Sequence, residues 1–307
     1  MFALTGMSQR FTLVELNSEN MFDCLDDEGK DDGEFLPDGP RRWTRSRYWR
    51  KLNNIGQELL SSSHDIPDLV ALVEVENDTV MRDLTRRSLL GNAGYQYLMT
   101  DSPDARGIDV ALLYQPSTFR PICYETIEVP SVGDMSPTRD ILYVKGETVG
   151  DDTLHVFVVH APSRYGGERQ TRHNRKQVAE VMLRFIGEVA DVSQSNIIIA
   201  GDFNDYADSP SLRQYYQRGL LNATQWAKGT HGARGTYRYQ GDWQSIDHIL
   251  VSPALYKKTG TVYINDASFL LEDEPKYGGR RPKRTYQGFR YQPGYSDHLP
   301  LVVTLEL

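Results

Sequence analysis

The sequence predicts a layered α/β fold, with two β-sheets packed face to face and helices outside them. Three observations carry this. Eight short apolar runs recur along the 307 residues, two amphipathic helical patterns lie between them, and turn signals punctuate the connections. No internal repeat and no Ser/Pro/Gly-rich linker interrupts the chain, so a single domain over 1–307 is expected.

The apolar runs are FTLVEL (11–16), DLVALVEV (68–75), DVALLY (109–114), ILYVKG (141–146), LHVFVVH (154–160), NIIIAG (196–201), SIDHILVS (245–252) and LPLVVTL (299–305). Their length and their Val/Ile/Leu content read as strands. Trp49, Leu52, Ile55, Gly56 and Leu59 share one helical face; Val178, Val181, Met182, Phe185, Ile186 and Val189 share another. Turns are signalled at Asn92-Ala93-Gly94, at Tyr165-Gly166-Gly167 and across Gly229 to Gly235.

Hydrophobic content of 39% and charged content of 25% suit a soluble globular protein. No segment approaches the ~18 consecutive apolar residues of a membrane span, so no stable membrane association is expected. The start, MFALTGMSQR, lacks a basic n-region and a signal-length apolar run. That leans towards the cytoplasm, although a processed secreted or periplasmic chain would begin the same way. A monomer is expected. Cys24 and Cys123 are too few for a disulfide scaffold and match no zinc spacing, so they are read as buried or incidental.

The net charge of -8 gives the whole chain no attraction for a polyanion, but the charge is unevenly placed. Asp23 to Glu34 is acidic, misses the EF-hand glycine offsets and is read as a solvated loop. Arg41 to Lys51 and Lys276 to Arg290 are basic with interleaved aromatics.

Almost every apolar run meets a polar group that burial does not explain: Asn17, Glu19, Glu74, Asp109, His160, Asp202, Asn204, Asp247, Asp297 and His298. Any one alone reads as a turn, a cap or a hydrogen-bonded loop residue. Together, unpartnered, they would cost several kcal/mol on desolvation. Sheet ends meeting at one rim would let them satisfy one another around a cation. Carboxylate and amide oxygens without thiolates suit Mg²⁺ or Mn²⁺. A magnesium ion keeps open positions for water and a phosphate oxygen, which points to phosphoester chemistry. Arg106, Arg139 and Arg164 fit a phosphate gripped bidentately. The chain has no Gly-x-Ser-x-Gly elbow, Walker A loop or Gly-x-Gly-x-x-Gly.

With these residues in place, the chain resembles the endonuclease/exonuclease/phosphatase superfamily, which includes pancreatic deoxyribonuclease, AP endonucleases, inositol polyphosphate 5-phosphatases and bacterial sphingomyelinases. The pieces occur in the family's order: the Asn-x-Glu start of NSEN (17–20), LVEVEN, RGIDVALLY, TRDIL, HAPSR, GDFND, SIDHIL and SDHLP (296–300). The likeness is nearest to the bacterial subgroup carrying RG-DVALLY and His-x-Pro-Ser-Arg, which often has Trp where this chain has Ala161. It implies a deoxyribonuclease-like four-layer α/β/β/α sandwich with two mixed sheets. It also implies that Glu74 is the principal metal ligand, with Asn17 and Asp297 alongside and Glu19 close by. Asp202 and Asn204 position the attacking water and a phosphate oxygen. His298 faces the scissile phosphate, with Asp247 holding its imidazole. His160 is a second phosphate-facing group, oriented by Asp109, and Arg139 contacts the phosphate.

Elementary chemistry agrees. In-line attack by water needs neutralised equatorial oxygens and help for the leaving group. A histidine beside an aspartate stays cationic near neutral pH. Asp247 and His248 must point to opposite faces, so only one belongs to the site; the resemblance selects Asp247, leaving His248, like His155, to packing or surface.

The substrate is expected to be nucleic acid or another phosphoester. The basic aromatic segments favour a nuclease, and the second lies close enough to Asp297 to form a loop beside the rim. The alternative is a phosphatase or phosphodiesterase of small or lipid-derived phosphates. APSRY in place of the inositol phosphatases' Pro-Ala-Trp-Cys-Asp-Arg, and no exposed aromatic hairpin of the sphingomyelinase kind, weaken that alternative. A non-catalytic phosphate-binding module is a further reading, opposed by the intact set of Glu74, Asp202, Asn204, Asp247 and His298.

Overall fold

The structure is a computed structural model that describes residues 10–133 and 135–307. The opening residues 1–9, on which the reading of the N-terminus rests, lie outside the described residues.

The apolar runs become strands because successive side chains are buried on opposite faces. In β1 (Arg10–Met21), Phe11 and Leu13 enter one apolar layer while Val14 and Leu16 enter another. β2 (Leu69–Val75) divides in the same way, with Leu69, Ala71 and Val73 against Val70 and Leu72. The further strands are β3 (Gln96–Met99), β4 (Asp109–Tyr114), β5 (Phe119–Ile127), β6 (Ile141–Thr148), β7 (Thr153–His160), β8 (Asn196–Asp202), β9 (Leu221–Asn222), β10 (Asp247–Val251), β11 (Thr259–Ile264) and β12 (Leu301–Glu306).

They form two mixed six-stranded sheets, in the orders β11-β12-β1-β2-β4-β3 and β5-β6-β7-β8-β10-β9. β1 runs parallel to β2, and β7 parallel to β8; the other pairs are antiparallel. Leu13, Ala71, Val110, Val156, Ile198 and Val303 meet in the layer between the sheets. Each fully buried Val, Leu or Ile there contributes about 1.5–3 kcal/mol. α1 (Arg45–Leu60) and α2 (Asp78–Arg87) cover the outer face of the first sheet through Leu52, Ile55, Val80 and Leu84. α3 (Glu168–Val189) and α4 (Pro210–Gln217) cover that of the second through Val178, Met182, Ile186 and Tyr215. The result is the four-layer α/β/β/α sandwich.

The differences from expectation lie at edges and in loops. α1 buries Tyr48, with Trp49 only partly covered beside it. β3, β5, β9 and β11 give no clean apolar run; β5 carries Pro121 and exposes Ile122 and Tyr124. The acidic stretch 23–34 is not wholly solvated: Asp23 and Asp32 are buried against Glu76, because the loop folds back over the end of β2. No helix among the described residues is long and apolar enough to cross a membrane.

Candidate active site

Sheet register assembles the first half of the site. His160 at the end of β7 stands beside Asp202 on β8, and Asp202 stands opposite Asp247 on β10. Three polar side chains thus form a row at one rim. Gly201 makes the close approach possible: it has φ +149, and a Cβ there would lie 1.9 Å from Val159 O. Beyond it the chain turns sharply. Asp202 Oδ1 accepts from Asn204 N (2.7 Å), Asn204 sits at φ 50, and its Nδ2 donates to Ala161 O (3.0 Å). Burial and the neighbouring Asp247 charge push the Asp202 carboxyl up to about 7.

The first sheet supplies the other half. Asn17 Nδ2 donates to Asp202 Oδ2 across the sandwich (3.1 Å). Glu74 falls where the pairing of β2 with both neighbours slips, and its φ of 62 turns its side chain towards the rim. Such a bulge costs ladder bonds but re-aims a side chain, and left-handed backbone in a non-glycine residue is strain typical of functional sites. Glu74 Oε2 accepts from Asn20 N (2.8 Å).

The segment before β12 closes the row. His298 Nδ1 lies 2.9 Å from Asp247 Oδ2, and Thr236 Oγ1 donates to the same carboxylate. With Nδ1 so committed, Nε2 is the nitrogen left for the pocket. Burial opposes a charge on His298, but Asp247, Asp202 and Asp297 outweigh it and hold the imidazole well above its ordinary value. His160 goes the other way: burial, then Arg139 and Arg106, holds it well below. Its Nε2 distances of 3.8 Å to Glu74 and 3.7 Å to Asp202 are therefore contacts of a neutral ring, not ion pairs.

Asn17, Glu74, His160, Asp202, Asn204 and His298 line a cavity of about 640 Å³, shared with Arg106, Arg139, Arg164, Tyr165 and Tyr237, while Asp247 lies behind His298. Arg139 is fixed by Asp104 (3.0 Å) and Ala161 O (3.1 Å), and its buried Nε has no partner among the described residues. Arg106 donates to Asn20 and comes within 3.9 Å of Glu74. Arg164 donates to Gln244 and stacks over Tyr206. Ala161, the departure from the bacterial subgroup, is buried, and its carbonyl ties Arg139 to Asn204.

The endonuclease/exonuclease/phosphatase family profile matches residues 12–307. The chain belongs to this family. Its members are phosphoester hydrolases, generally dependent on a divalent metal. Among solved structures, a family protein from Bacteroides thetaiotaomicron is similar at 18% identity and a TM-score of 0.66, covering 97% of each chain. A mannosyl-6-phosphatase from Bacteroides thetaiotaomicron is similar at 16% identity and a TM-score of 0.62, over 95% of this chain and 98% of that one. The TDP2 of D. rerio, complexed with a single-strand DNA product, is similar at 15% identity and a TM-score of 0.55, over 97% and 99%. At these identities the likeness is one of fold. No curated protein sequence matches the chain.

Within the family fold, three expected residues stand outside the pocket: Asp247, which backs His298, and Glu19 and Asp109. Glu19 accepts from Thr285 N (2.6 Å) and Tyr286 N (3.3 Å) and lies 3.8 Å from Lys51 Nζ, so it anchors the 285–286 backbone; Asn20 lines the pocket instead. Asp109 does not orient His160, whose Nδ1 is buried without a partner among the described residues. Asp109 Oδ1 accepts instead from Thr100 Oγ1 and from Ser102 N and Oγ, because β4 directs it into that turn. Asp297 lines the pocket, paired with Arg284 at 2.8 Å.

Asn20, which the sequence places just beyond the first apolar run, carries no expected role, and Tyr237 and Arg284 have no signal of their own. Asn20 follows Glu19 in two successive left-handed residues, a turn without periodicity. Tyr237, whose ring lies 4.8 Å from that of His298, comes from a hairpin with no long apolar run. Arg284 lay inside a basic segment read only as a whole. His248 and His155 are packing residues: His248 bonds Asp205 O, and His155 bonds Tyr143.

The donors fit a hard divalent ion. Glu74, Asn17 and Asp297 present carboxylate and amide oxygens to one pocket, and no cysteine among the described residues lines it; burial, then the Asp247 charge, raises the Asp202 carboxyl, and a cation would oppose both.

Proposed function

We propose that the chain acts as one domain, a Mg²⁺- or Mn²⁺-dependent phosphodiesterase that cleaves its substrate by in-line attack of water, and that the substrate is nucleic acid. The observation that carries the chemistry is the convergence, on one cavity, of a cationic His298–Asp247 pair, the Asp202–Asn204 turn and three arginines. Glu74, Asn17 and Asp297 would hold the ion, which supplies charge to the phosphoryl oxygens. Arg106, Arg139 and Arg164 bind and orient the phosphate. Asn204 positions the water, and the Asp202 carboxylate takes its proton. His298 Nε2–H donates to a phosphoryl oxygen as negative charge builds there. His160, neutral, adds a hydrogen bond without competing for the ion.

The nucleic-acid reading rests on where the two basic segments meet. Arg41 Nη1 donates to Gly288 O (3.0 Å), and its guanidinium lies 5.3 Å from the exposed Phe289 ring; that of Arg47 lies 4.3 Å from Tyr291. This basic aromatic surface is rooted at the rim through Thr285 and Tyr286 on Glu19, and through Arg284 on Asp297. Charge with exposed rings suits a strand that leaves the site. The TDP2 likeness favours the same reading. The mannosyl-6-phosphatase likeness favours a second one, a phosphatase of small phosphates.

The test is turnover with Mg²⁺, Mn²⁺ or EDTA on plasmid, single-stranded DNA, RNA, bis-p-nitrophenyl phosphate, mannose 6-phosphate, inositol phosphates and sphingomyelin. Metal-dependent cleavage of polynucleotides is expected. Cleavage of monoesters alone would replace the first reading by the second, and no turnover on any substrate would remove both.

A further inference from the structure

We propose that Asp27, Asp32 and Glu76 form a calcium site outside the catalytic pocket, built by the loop that follows β1. One carboxylate oxygen from each lies within 4.8 Å of the others. That is the span of two oxygens on opposite sides of a calcium ion, each at about 2.4 Å.

The carboxylate of Asp32 points to a missing ligand. Asp32 is 2% exposed; its Oδ2 accepts from Asp27 N (2.9 Å), while its Oδ1 is buried and has no hydrogen-bond donor among the described residues. Asp23 adds a fourth carboxylate, its N–H donating to Glu76 Oε2 (2.6 Å). Asn77 Nδ2 turns towards Asp23 (3.4 Å) and Asp27 (3.3 Å). No lysine, arginine or histidine among the described residues pairs with any of the four. Lys30, in the same loop, sends its Nζ to Ser102 O (2.8 Å) and Asp104 O (3.2 Å) instead. A buried carboxylate oxygen with neither donor nor cation, as Asp32 Oδ1 is among the described residues, is costly, and a bound cation removes that cost.

The donor set chooses the ion. All three groups are carboxylates, from an irregular loop and a strand end, with no thiolate or imidazole among them; this suits calcium's flexible oxygen shell better than magnesium's strict octahedron or zinc. The site also has a consequence for catalysis. The loop bonds Ala105 O through Asp31 N (2.7 Å), and the 102–106 segment carries Arg106 and the Asp104 that fixes Arg139. A bound ion would stiffen the support of two phosphate-binding arginines.

Thermal unfolding of the EDTA-stripped full chain, titrated with CaCl₂ and separately with MgCl₂, tests this. Calcium at 100-fold over its dissociation constant is expected to raise the midpoint by about 5 °C, and magnesium at the same concentration by less. Asp32→Asn should abolish the calcium shift while leaving the calcium-free midpoint at or above that of wild type, since one repelling charge is gone. Asp27→Asn should behave alike and serves if the first variant does not fold. Glu74→Gln, a change in the catalytic pocket, should keep the shift and bind one calcium per chain by calorimetry. No calcium shift in wild type overturns the proposal. So does a shift that survives both loop variants but is lost in Glu74→Gln, which would place the ion in the catalytic pocket.

Discussion

His298 Nδ1 lies 2.9 Å from Asp247 Oδ2, joining the approach to the last strand of the first sheet to a central strand of the second. The pair keeps the imidazole protonated above its ordinary value. Its contribution to stability is complete below the unfolded value near 6.5 and is lost as pH rises through the higher folded value. Asp247→Asn should lower the His298 titration, read by NMR, and cut turnover by at least ~10²-fold. An unchanged titration would show that the two residues are not coupled.

The Asp202 carboxyl shifts in the same direction over a lower pH window. Its folded value of about 7 stands above the ordinary 3.8, so without a divalent ion the folded chain binds this proton more tightly than the unfolded one. Its contribution to stability is full below about 4 and is lost as pH rises towards 7. Asp202→Asn should flatten that part of the metal-free stability profile. Mg²⁺ should do the same in wild type, and urea unfolding at pH 4, 5.5 and 7 reads both effects.

The basic aromatic surface formed by Arg41, Arg47, Phe289 and Tyr291 should matter only for polymers. Arg41→Ala with Arg47→Ala should raise KM for polynucleotides by roughly 10-fold and reduce the salt slope of that KM by about one per charge removed. Turnover of bis-p-nitrophenyl phosphate should stay the same. An equal loss on both substrates would assign these arginines to the fold.

Asp109 should act on the phosphate site through the 100–106 turn. Asp109→Asn is expected to cost about 1–3 kcal/mol of stability, since it disturbs a buried acceptor serving three donors. KM should rise as the turn carrying Asp104 and Arg106 loosens, with the His160 ring resonances left in place. A shifted His160 titration with unchanged KM would restore a direct role on that histidine.

Legibility followed burial. Runs such as NIIIAG and DVALLY became strands because both of their faces are covered, and a two-sided apolar strand announces itself. Edge strands such as FRPICYETI expose one face and carry no such signal. In the site, residues at strand ends were readable because polarity there breaks an apolar pattern: His160, Asp202, Asp247 and His298 all meet. Glu19 and Asp109 were misplaced for a shared reason. Both belong to correct segments, but their side-chain directions depend on local turns, two left-handed residues in one case and the Thr100–Ser102 turn in the other, which spacing does not encode. The acidic loop was read as solvated because charge alone says nothing of a fold-back onto Glu76.

β12 lies between β1 and β11, so one sheet is built from the beginning and the end of the described chain together. On the ribosome, β1 waits for Leu301–Glu306 before that sheet can close, and His298 cannot reach Asp247 until it does. A half-synthesised copy therefore lacks the paired imidazole that the finished pocket presents.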